Sequence, residues 1–557
     1  MNLTGSEKFD QPDNDRNFIF YDEKGVDIKQ TRRKFLQMIG LGVGSMMGAS
    51  CGHPSQKRMS GKPNLLFIMT DQQRWDALSI AGNPIVKTPN IDKLARQGVY
   101  FERAYTQCAV CGPARASILS GCAVETHGVV TNDHASPPES EDVFPMKSFD
   151  EILHDRGYLS EYYGKWHCPD HRAMIYRNPV EACHGNSPFG PPLHARYRAH
   201  LDKLLKRRKP ASGEQIAGSF NWIYKMDPID HRYGLEPSKA GVKVVQPDNH
   251  GKLLVPPEHS PTAYEVSNVI NALDRVGDQP FNITCSINYP HAPLLPTEPY
   301  YQMYKPQDMP VPASIDDDMS NSPYGEANGR KRLPEYRDKD KIKYMISNYY
   351  GLIKEIDDWV GKLLKKLDDK GLTDNTMVIF ISDHGEMLGS HGMREKNVFY
   401  EESAHIPLMI RFPGRIKPNT IVKQPVSLID LFATILDYTQ AGNHKSDGKS
   451  LRPLIEGTDK QDKFIVTEWL WHGDRVPCYM VVSGHWKLFC PHTPESKVVN
   501  VLYNLKDDPY EMNNLIGKNP QQKKYAAQAE KMKAKLVSWL ESIQSKHTEG
   551  VRKRKMV

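Results

Sequence analysis

The chain has 557 residues, of which 39% are hydrophobic and 25% are charged, and its formal net charge at pH 7 is +6. This length is too great for one ordinary core and indicates a large domain with a smaller second part. The mild charge argues against a nucleic-acid-binding protein and leaves room for a local basic patch facing an anionic partner. Nine scattered cysteines, an odd number, define no disulfide framework.

The first segment, residues 1–50, has the pattern of an export signal. Arg32 and Arg33 precede an apolar, glycine-rich run over residues 38–47. This run is too short to span a membrane well, so the pattern predicts a twin-arginine signal in preference to a transmembrane anchor. Cys51 is a candidate lipoprotein site that would attach the protein to a membrane. The sequence therefore predicts a periplasmic or cell-envelope protein that uses the twin-arginine export machinery.

Apolar runs and helix signals alternate along residues 60–455, the predicted catalytic domain. Buried strands are predicted at residues 65–69, 158–163, 281–287 and 377–381. Helices are predicted from Pro89 to Gly98, from Ser148 to Gly157, and along the apolar face that runs from Ile353 to Leu367. This alternation predicts an α/β fold with a large, mostly parallel sheet sandwiched by helices.

Residues 168–260 are rich in proline, glycine, histidine and basic residues and show little periodicity. Such a stretch is typical of a long insertion that shapes a binding site. Its basic cluster consists of Lys203, Lys206, Arg207, Arg208 and Lys209. The cluster fits either a solvated helix face or a contact with a polyanionic substrate, and both interpretations remain open.

Residues 456–557 are predicted to form a smaller α+β subdomain. Short strand-like segments lie at residues 464–469, 478–482 and 486–490, and a polar helix follows them. This order predicts a small antiparallel sheet packed with one helix.

Three polar residues follow predicted strands of the large sheet: Asp71, His291 and Asp383. Ligands of open α/β sheets bind beyond the carboxyl ends of the strands. The pattern therefore predicts that these three side chains contribute to one site.

The stretch from Cys111 to Gly121 reads C-x-P-x-R, followed by five residues and glycine. Cys108 and Cys111 also form a C-x-x-C, which fits a redox pair or half of a zinc site. The chain has no second C-x-x-C to complete a four-cysteine zinc site. The C-x-P-x-R pattern resembles the signature of the type I sulfatases, a family of the alkaline phosphatase superfamily.

That resemblance implies that a maturation enzyme converts Cys111 to formylglycine, whose hydrate supplies the attacking oxygen. It also implies a metal site made of residue 111 with Asp71, Gln72, Asp383 and His384. Such an oxygen-rich site suits calcium, ahead of magnesium. The family's first motif often carries two aspartates, and Gln72 stands in place of the second.

The stretch Gly164-Lys165-Trp166-His167 is similar to the family's second signature. The resemblance implies that Lys165 binds sulfate and that His167 acts as a base beside the hydrated residue 111. It implies that His291 helps to protonate the leaving alcohol, and that Lys396 contacts the sulfate and the ester oxygen. Arg115 would orient the modified residue.

His127 and His391, each followed by glycine, are secondary candidates for substrate binding. The resemblance runs from about Asn64 to Leu515 and is weakest across residues 168–260, so it does not supply the substrate. With export and the basic cluster, it favours a sulfatase that removes sulfate from a sulfated polysaccharide or oligosaccharide. The alternatives are a phosphonate or phosphate monoester hydrolase of the same superfamily and a non-catalytic binder of sulfated glycans.

Overall fold

The computed structural model describes residues 61–132, 146–168, 197, 250–253, 255–325, 334–471 and 475–557. Residues 60–557 form one compact unit. The predicted export signal and nearly all of the 168–260 insertion, with its basic cluster, lie outside the described residues. Within the described residues, no helix combines the length and apolar character needed to cross a membrane.

The strands lie at the following positions: β1 Asn64–Thr70, β2 Val99–Phe101, β3 Ala104–Tyr105, β4 Leu159–Gly164, β5 Phe281–Ile287, β6 Thr376–Ser382, β7 His405–Ile406, β8 Leu408–Arg411, β9 Thr420–Val422, β10 Val426–Ser427, β11 Phe464–Glu468, β12 Tyr479–Ser483, β13 Trp486–Cys490 and β14 Val501–Asn504. The helices are α1 Pro89–Arg96, α2 Cys111–Ser120, α3 Val124–His127, α4 Phe149–Asp155, α5 Pro261–Arg275, α6 Tyr300–Met303, α7 Lys339–Asp369, α8 Glu401–Ala404, α9 Asp430–Tyr438, α10 Arg452–Ile455, α11 Ala526–Ser542 and α12 Thr548–Lys553.

Seven strands form the central sheet in the order β4-β5-β1-β6-β8-β2-β9. Neighbouring strands run parallel except at β8, which is antiparallel to both β6 and β2. The four parallel strands β4, β5, β1 and β6 stand side by side, and their ends therefore meet at one edge of the sheet. The mostly parallel sheet predicted from the sequence is confirmed.

Helices cover both faces of this sheet because alternate residues of each strand point to opposite sides. Leu65 and Phe67 of β1 pack with α9, where Phe432 is buried. Leu66 of β1 packs on the other face with α7, where Leu352 is buried. The helices sandwich the sheet as the sequence predicted, and β1 is buried on both faces.

Two helix starts follow the capping rules. The Ser148 hydroxyl accepts a hydrogen bond from the Glu151 backbone N–H at the start of α4, as predicted. The Asp338 carboxylate accepts from the backbone N–H groups of Asp340 and Lys341 and starts α7 well before the apolar face seen in the sequence.

The C-terminal part contains an antiparallel sheet in the order β11-β12-β13-β14, and α11 packs against it. The sequence predicted the first three strands and missed β14.

A buried ion cluster joins this small sheet to the segment that follows Tyr400. Lys487 of β13 is fully buried, with its Nζ atom 2.7 Å from Glu401 Oε1 and 2.8 Å from Glu511 Oε1. The backbone N–H of Glu401 also donates to Glu511 Oε2 at 2.6 Å. The ring of Tyr400 packs against Phe489 of β13, with 6.1 Å between the ring centroids.

Candidate active site

The carboxyl edge of the parallel strands carries the candidate site. Asp71 follows β1, Lys165 follows β4, and Asp383 follows β6 directly. Gln72 and His167 adopt left-handed backbone conformations, with φ of 68° and 49°, which turn the chain just past the strand ends. The convergence predicted from strand ends is therefore present in the fold.

Cys111 is the first residue of α2, a helix that the sequence analysis did not predict. The preceding Val110 is extended, and Gly121 ends the helix in a left-handed conformation with its N–H bonded to Ser117 O at 2.8 Å. The positive end of a helix dipole favours a negative group at its first residue. Residue 111 therefore lies between the backbone N–H groups at the N-terminus of α2 and the carboxyl edge of the parallel strands.

Four side chains that can bind a metal converge at this position. Ligand atoms of Asp71, Cys111, Asp383 and His384 all lie within 4.8 Å of one another, and all four residues are buried. His384 Nδ1 lies 2.9 Å from the Gly385 carbonyl, so Nδ1 carries the proton and Nε2 is free to act as a ligand. His384 Nε2 lies 3.1 Å from Cys111 Sγ. Two carboxylates with one imidazole fit a divalent cation.

Arg115 ties the helix to two strand ends. Its Nε donates to Asp383 Oδ2 at 2.8 Å, and its Nη2 lies 3.6 Å from Asp71 Oδ2. Its Nη1 donates to the Lys165 carbonyl at 2.7 Å and to Ser286 Oγ at 2.9 Å. These contacts fix both carboxylates relative to α2, and the orienting role of Arg115 toward residue 111 stays a prediction.

Charges around Asp71 keep it ionised. Burial alone would raise the pKa of Asp71, but Lys165 and Arg115 together hold it well below its ordinary value. Lys165 contacts Asp71 Oδ2 directly through its Nζ atom. The pKa of the Cys111 thiol is also lowered, because Lys165, Lys396 and His384 outweigh burial and the charge of Asp71.

Lys396 links the remaining candidates. Its Nζ lies 2.6 Å from Gln72 Oε1 and 2.9 Å from His291 Nε2. His291 Nδ1 lies 2.7 Å from the Ala292 carbonyl and donates to it, so Nε2 accepts from the ammonium group. Burial and Lys396 lower the pKa of His291 well below its usual value, which leaves a neutral imidazole beside a charged lysine.

Gln72 occupies the second position of the metal motif, but its side chain has other contacts. The amide oxygen accepts from Lys396, and the amide nitrogen donates to Glu386. Only its backbone N–H contacts the metal-binding group, through Asp383 Oδ1 at 3.1 Å.

His167 lies in the same buried cluster. Burial, Lys165 and Arg115 hold the pKa of His167 well below its ordinary value, so the imidazole is neutral. Its Nδ1 has no hydrogen-bond partner among the described residues. A buried, neutral imidazole of this kind can accept a proton.

Two secondary candidates have contacts outside this cluster. His127 Nδ1 accepts from the Val129 N–H at 3.1 Å, and its Nε2 lies 2.9 Å from Ser117 Oγ. Burial lowers the pKa of His127 to about 3. His391 bonds to Asp317 through Nδ1 at 2.7 Å and stacks on Tyr400 at 3.8 Å.

Three supporting residues were not found from the sequence. Ser286 accepts from Arg115, and Glu386 accepts from Gln72 as well as from the backbone N–H groups of Leu388 and Glu395. Glu265 of α5 accepts from the Asn288 N–H at 3.0 Å and so anchors the turn that leads to His291.

The two thiols of the C-x-x-C, on Cys108 and Cys111, are free, and Cys108 does not belong to the metal-binding cluster found among the described residues. The arrangement as a whole joins a nucleophile position, a metal-binding group and three cations in a buried pocket. These elements are suited to hold a tetrahedral oxyanion and to transfer its central atom to a nucleophile.

Comparisons with known proteins agree with this chemistry. A family model described as Sulfatase matches residues 63–441, and a model described as N-sulphoglucosamine sulphohydrolase, C-terminal, matches residues 389–541. An arylsulfatase of Clostridium perfringens is 28% identical over 502 residues, which cover 88% of this chain and 96% of the relative. An N-acetylglucosamine-6-O-sulfatase of Bacteroides thetaiotaomicron is 26% identical over 548 residues, which cover 92% of this chain and 91% of the relative.

Among solved structures, the phosphonate monoester hydrolase of Agrobacterium radiobacter superposes with a TM-score of 0.67 at 24% identity. The match covers 86% of this chain and 96% of that one, and it shows a shared fold. The Sulfatase model spans more than half of the chain and includes Asp71, Cys111, Lys165, His291, Asp383 and Lys396. The chain therefore belongs to the sulfatase family and is a sulfuric ester hydrolase.

Proposed function

We propose that this protein is a formylglycine- and calcium-dependent sulfatase that removes sulfate from a sulfated polysaccharide or oligosaccharide. The observation that carries the proposal is the buried convergence of Asp71, Cys111, Asp383 and His384 at the N-terminus of α2. A metal-binding group built around a cysteine thiol and two carboxylates gives that cysteine a role beyond packing.

We propose that Cys111 is oxidised to formylglycine by a maturation enzyme. The hydrated aldehyde supplies an oxygen nucleophile where the coded thiol stands. The helix N-terminus and Arg115 fix its position, and the neutral imidazole of His167 is a suitable acceptor for a diol proton.

Calcium is the cation that the donor set favours. Carboxylate oxygens from Asp71 and Asp383, with an oxygen in place of Cys111 Sγ after maturation, form a hard site. Asp71 and Asp383 would hold the ion, with Nε2 of His384 as a further ligand. A bound calcium ion supplies positive charge that favours both the ionised nucleophile and the sulfate oxygens.

Three cations would neutralise the sulfate during transfer. Lys165 and Arg115 both lie beside Asp71, and Lys396 contacts His291. Lys396 carries the proton in the Lys396–His291 pair, so this pair would protonate the departing alcohol oxygen. Preorganised charges of this kind stabilise a transition state without rearrangement during the reaction.

The saccharide substrate is inferred from the relatives and the chain composition. One relative is named an N-acetylglucosamine-6-O-sulfatase. The basic residues of the 168–260 insertion add a favourable charge for a polyanion. We also propose export by the twin-arginine machinery to the periplasm or cell envelope, with Cys51 as a lipid-anchor candidate.

A screen of defined sulfated oligosaccharides with matured protein tests the substrate class, with release of free sulfate as the measurement. Cys111→Ala serves as the matched inactive control. Phosphonate and phosphate monoesters belong in the same screen, since the superfamily fold also supports those activities. Faster turnover of phosphonate esters than of every sulfate ester would contradict the proposal.

A further inference from the structure

Arg394 is a buried arginine that forms no ion pair with any of the described residues. Its side chain is 1% exposed, and its Nε and Nη2 atoms have no hydrogen-bond partner among the described residues. The ring of Tyr336 lies 5.9 Å from the guanidinium carbon and offers a weak contact. A buried charge without a hydrogen-bonded partner is strongly destabilising, so it calls for an explanation by function.

Two acidic side chains that contact this loop, Glu386 and Asp317, already have other partners. Glu386 accepts from Gln72 and from the backbone N–H groups of Leu388 and Glu395. Asp317 bonds to His391 at 2.7 Å and accepts from the Met319 N–H. Neither carboxylate forms an ion pair with Arg394 in the part of the chain that the structure describes.

The backbone places Arg394 beside the catalytic group. The loop is a tight hairpin, closed by Met387 N–H to Glu395 O and by Gly389 N–H to Met393 O, each at 2.8 Å. Lys396, two residues further on, reaches His291. Two residues span at most about 7 Å, so the Cα atoms of Arg394 and Lys396 are no farther apart than that.

The exposed fraction of Arg394 is as small as that of the proposed catalytic residues. Asp71 and Lys165 are 0% exposed, and Lys396 is 8% exposed. On the same hairpin, His391 Nε2 is a second buried nitrogen without a hydrogen-bond partner among the described residues. Unsatisfied polar atoms therefore gather on the loop that delivers Lys396.

We propose that Arg394 binds a second oxyanion of the substrate, a carboxylate or a further sulfate on the saccharide that carries the scissile sulfate. A guanidinium group pairs with such a group through two parallel N–H donors, and Nε and Nη2 are the two that remain open. This inference rests on the proposed function and narrows its substrate class to saccharides with more than one anionic group near the scissile ester.

The first test is thermal unfolding without ligand, comparing Arg394→Met with Arg411→Met. Arg411 of β8 is 2% exposed, and its Nε and Nη2 likewise have no hydrogen-bond partner among the described residues, but its Nη1 donates to Gln97 Oε1 at 3.1 Å. Removing an unpaired buried charge should leave Tm unchanged or raise it, whereas Arg411→Met should lower Tm. A larger fall in Tm for Arg394→Met than for Arg411→Met would reveal a protein partner and overturn the proposal.

The second test compares kcat/KM on matched esters: phenyl sulfate against 2-carboxyphenyl sulfate, and monosulfated against disulfated hexosamine disaccharides. The wild type should prefer the more anionic member of at least one pair by about 10- to 100-fold, the range for a charged bidentate contact. Arg394→Met should remove that preference, Arg394→Lys should retain part of it, and Arg411→Met should leave the ratio unchanged. Equal losses on both members of every pair for Arg394→Met would overturn the proposal.

Inhibition by inorganic sulfate distinguishes an oxyanion on the substrate from the released sulfate ion as the ligand of Arg394. If Arg394→Met weakens inhibition by free sulfate without changing the substrate ratio, Arg394 binds the released ion and the substrate proposal is overturned. If matured wild-type protein releases sulfate from no ester, phenyl sulfate included, the proposed function fails, and the Tm comparison still decides whether Arg394 lacks a protein partner.

Discussion

Replacing His291 with alanine should separate the two halves of the proposed reaction. His291 Nδ1 donates to the Ala292 carbonyl at 2.7 Å, and Nε2 accepts from Lys396 at 2.9 Å. In the proposed reaction the imidazole thus holds a proton-bearing ammonium group for the departing alcohol oxygen. A sugar alkoxide needs such a proton, whereas a nitrophenolate ion leaves well without it.

General acid catalysis typically contributes 10²–10⁴-fold. We therefore expect His291→Ala to lower kcat/KM by roughly 10²–10⁴-fold on a sulfated saccharide and by no more than about 10-fold on nitrophenyl sulfate. Steady-state kinetics on the two substrates measure the difference directly.

His167→Ala is the matched control for this experiment. His167 contributes a neutral imidazole to the same buried pocket, and its proposed proton acceptor role concerns the residue at 111, which every substrate meets. Its loss should lower turnover of both substrates by similar factors. Equal losses on both substrates for His291→Ala would refute its part in leaving-group protonation and leave it a binding residue.

Three further outcomes are expected. Peptide mass spectrometry of active protein should find an aldehyde or its hydrate at position 111, and full activity with an intact Cys111 thiol would exclude the proposed nucleophile. Asp71→Asn and Asp383→Asn should each abolish calcium binding in titration calorimetry. If zinc alone restores the activity of chelator-treated wild-type protein, a site of hard oxygen ligands is contradicted. Burial raises the pKa of Glu355 to about 8, so wild-type stability should fall as pH rises from about 4.5 through 8, because the unfolded carboxyl ionises first. Glu355→Gln should remove the share of that loss that Glu355 causes and so make the fall in Tm shallower, and Tm curves that fall in parallel would show that Glu355 contributes nothing to it.

The sequence located the four parallel strands β1, β4, β5 and β6 of the main sheet because each left a local pattern. The strand β1 is a continuous apolar run that ends at Asp71, and the same holds for β6 and Asp383. The capping pattern of Ser148 and Glu151 predicted the start of α4. Such signals depend on neighbouring residues alone, so they can be interpreted without the fold.

The missed features depend on partners distant in the chain. The strand β8 has four residues, too few to show a period, and is defined by its neighbours β6 and β2. Ser286 resembles any buried strand serine until Arg115 is placed beside it. The helix α2 was missed because its start contains glycine and proline and its residues are buried all round, which leaves no amphipathic stripe.

The contacts of Gln72 also involve partners that are distant in the chain. The motif predicts a metal ligand, and this stays a prediction; the structure shows the side chain in contact with Lys396 and Glu386. Nothing near Gln72 in the sequence reveals those two partners, which lie more than 300 residues away.

The ion cluster around Lys487 affects the order in which parts of the active site can form during synthesis. Glu401, which directly follows the loop that delivers Lys396, is held by Lys487 and Glu511, residues near the end of the chain. During synthesis, the earlier segments leave the ribosome before these anchors exist. A nascent chain that stops short of Glu511 thus retains its strand-end carboxylates but lacks the clamp behind the Lys396 loop. Residues that are synthesised after the strand-end residues therefore complete the support of the pocket.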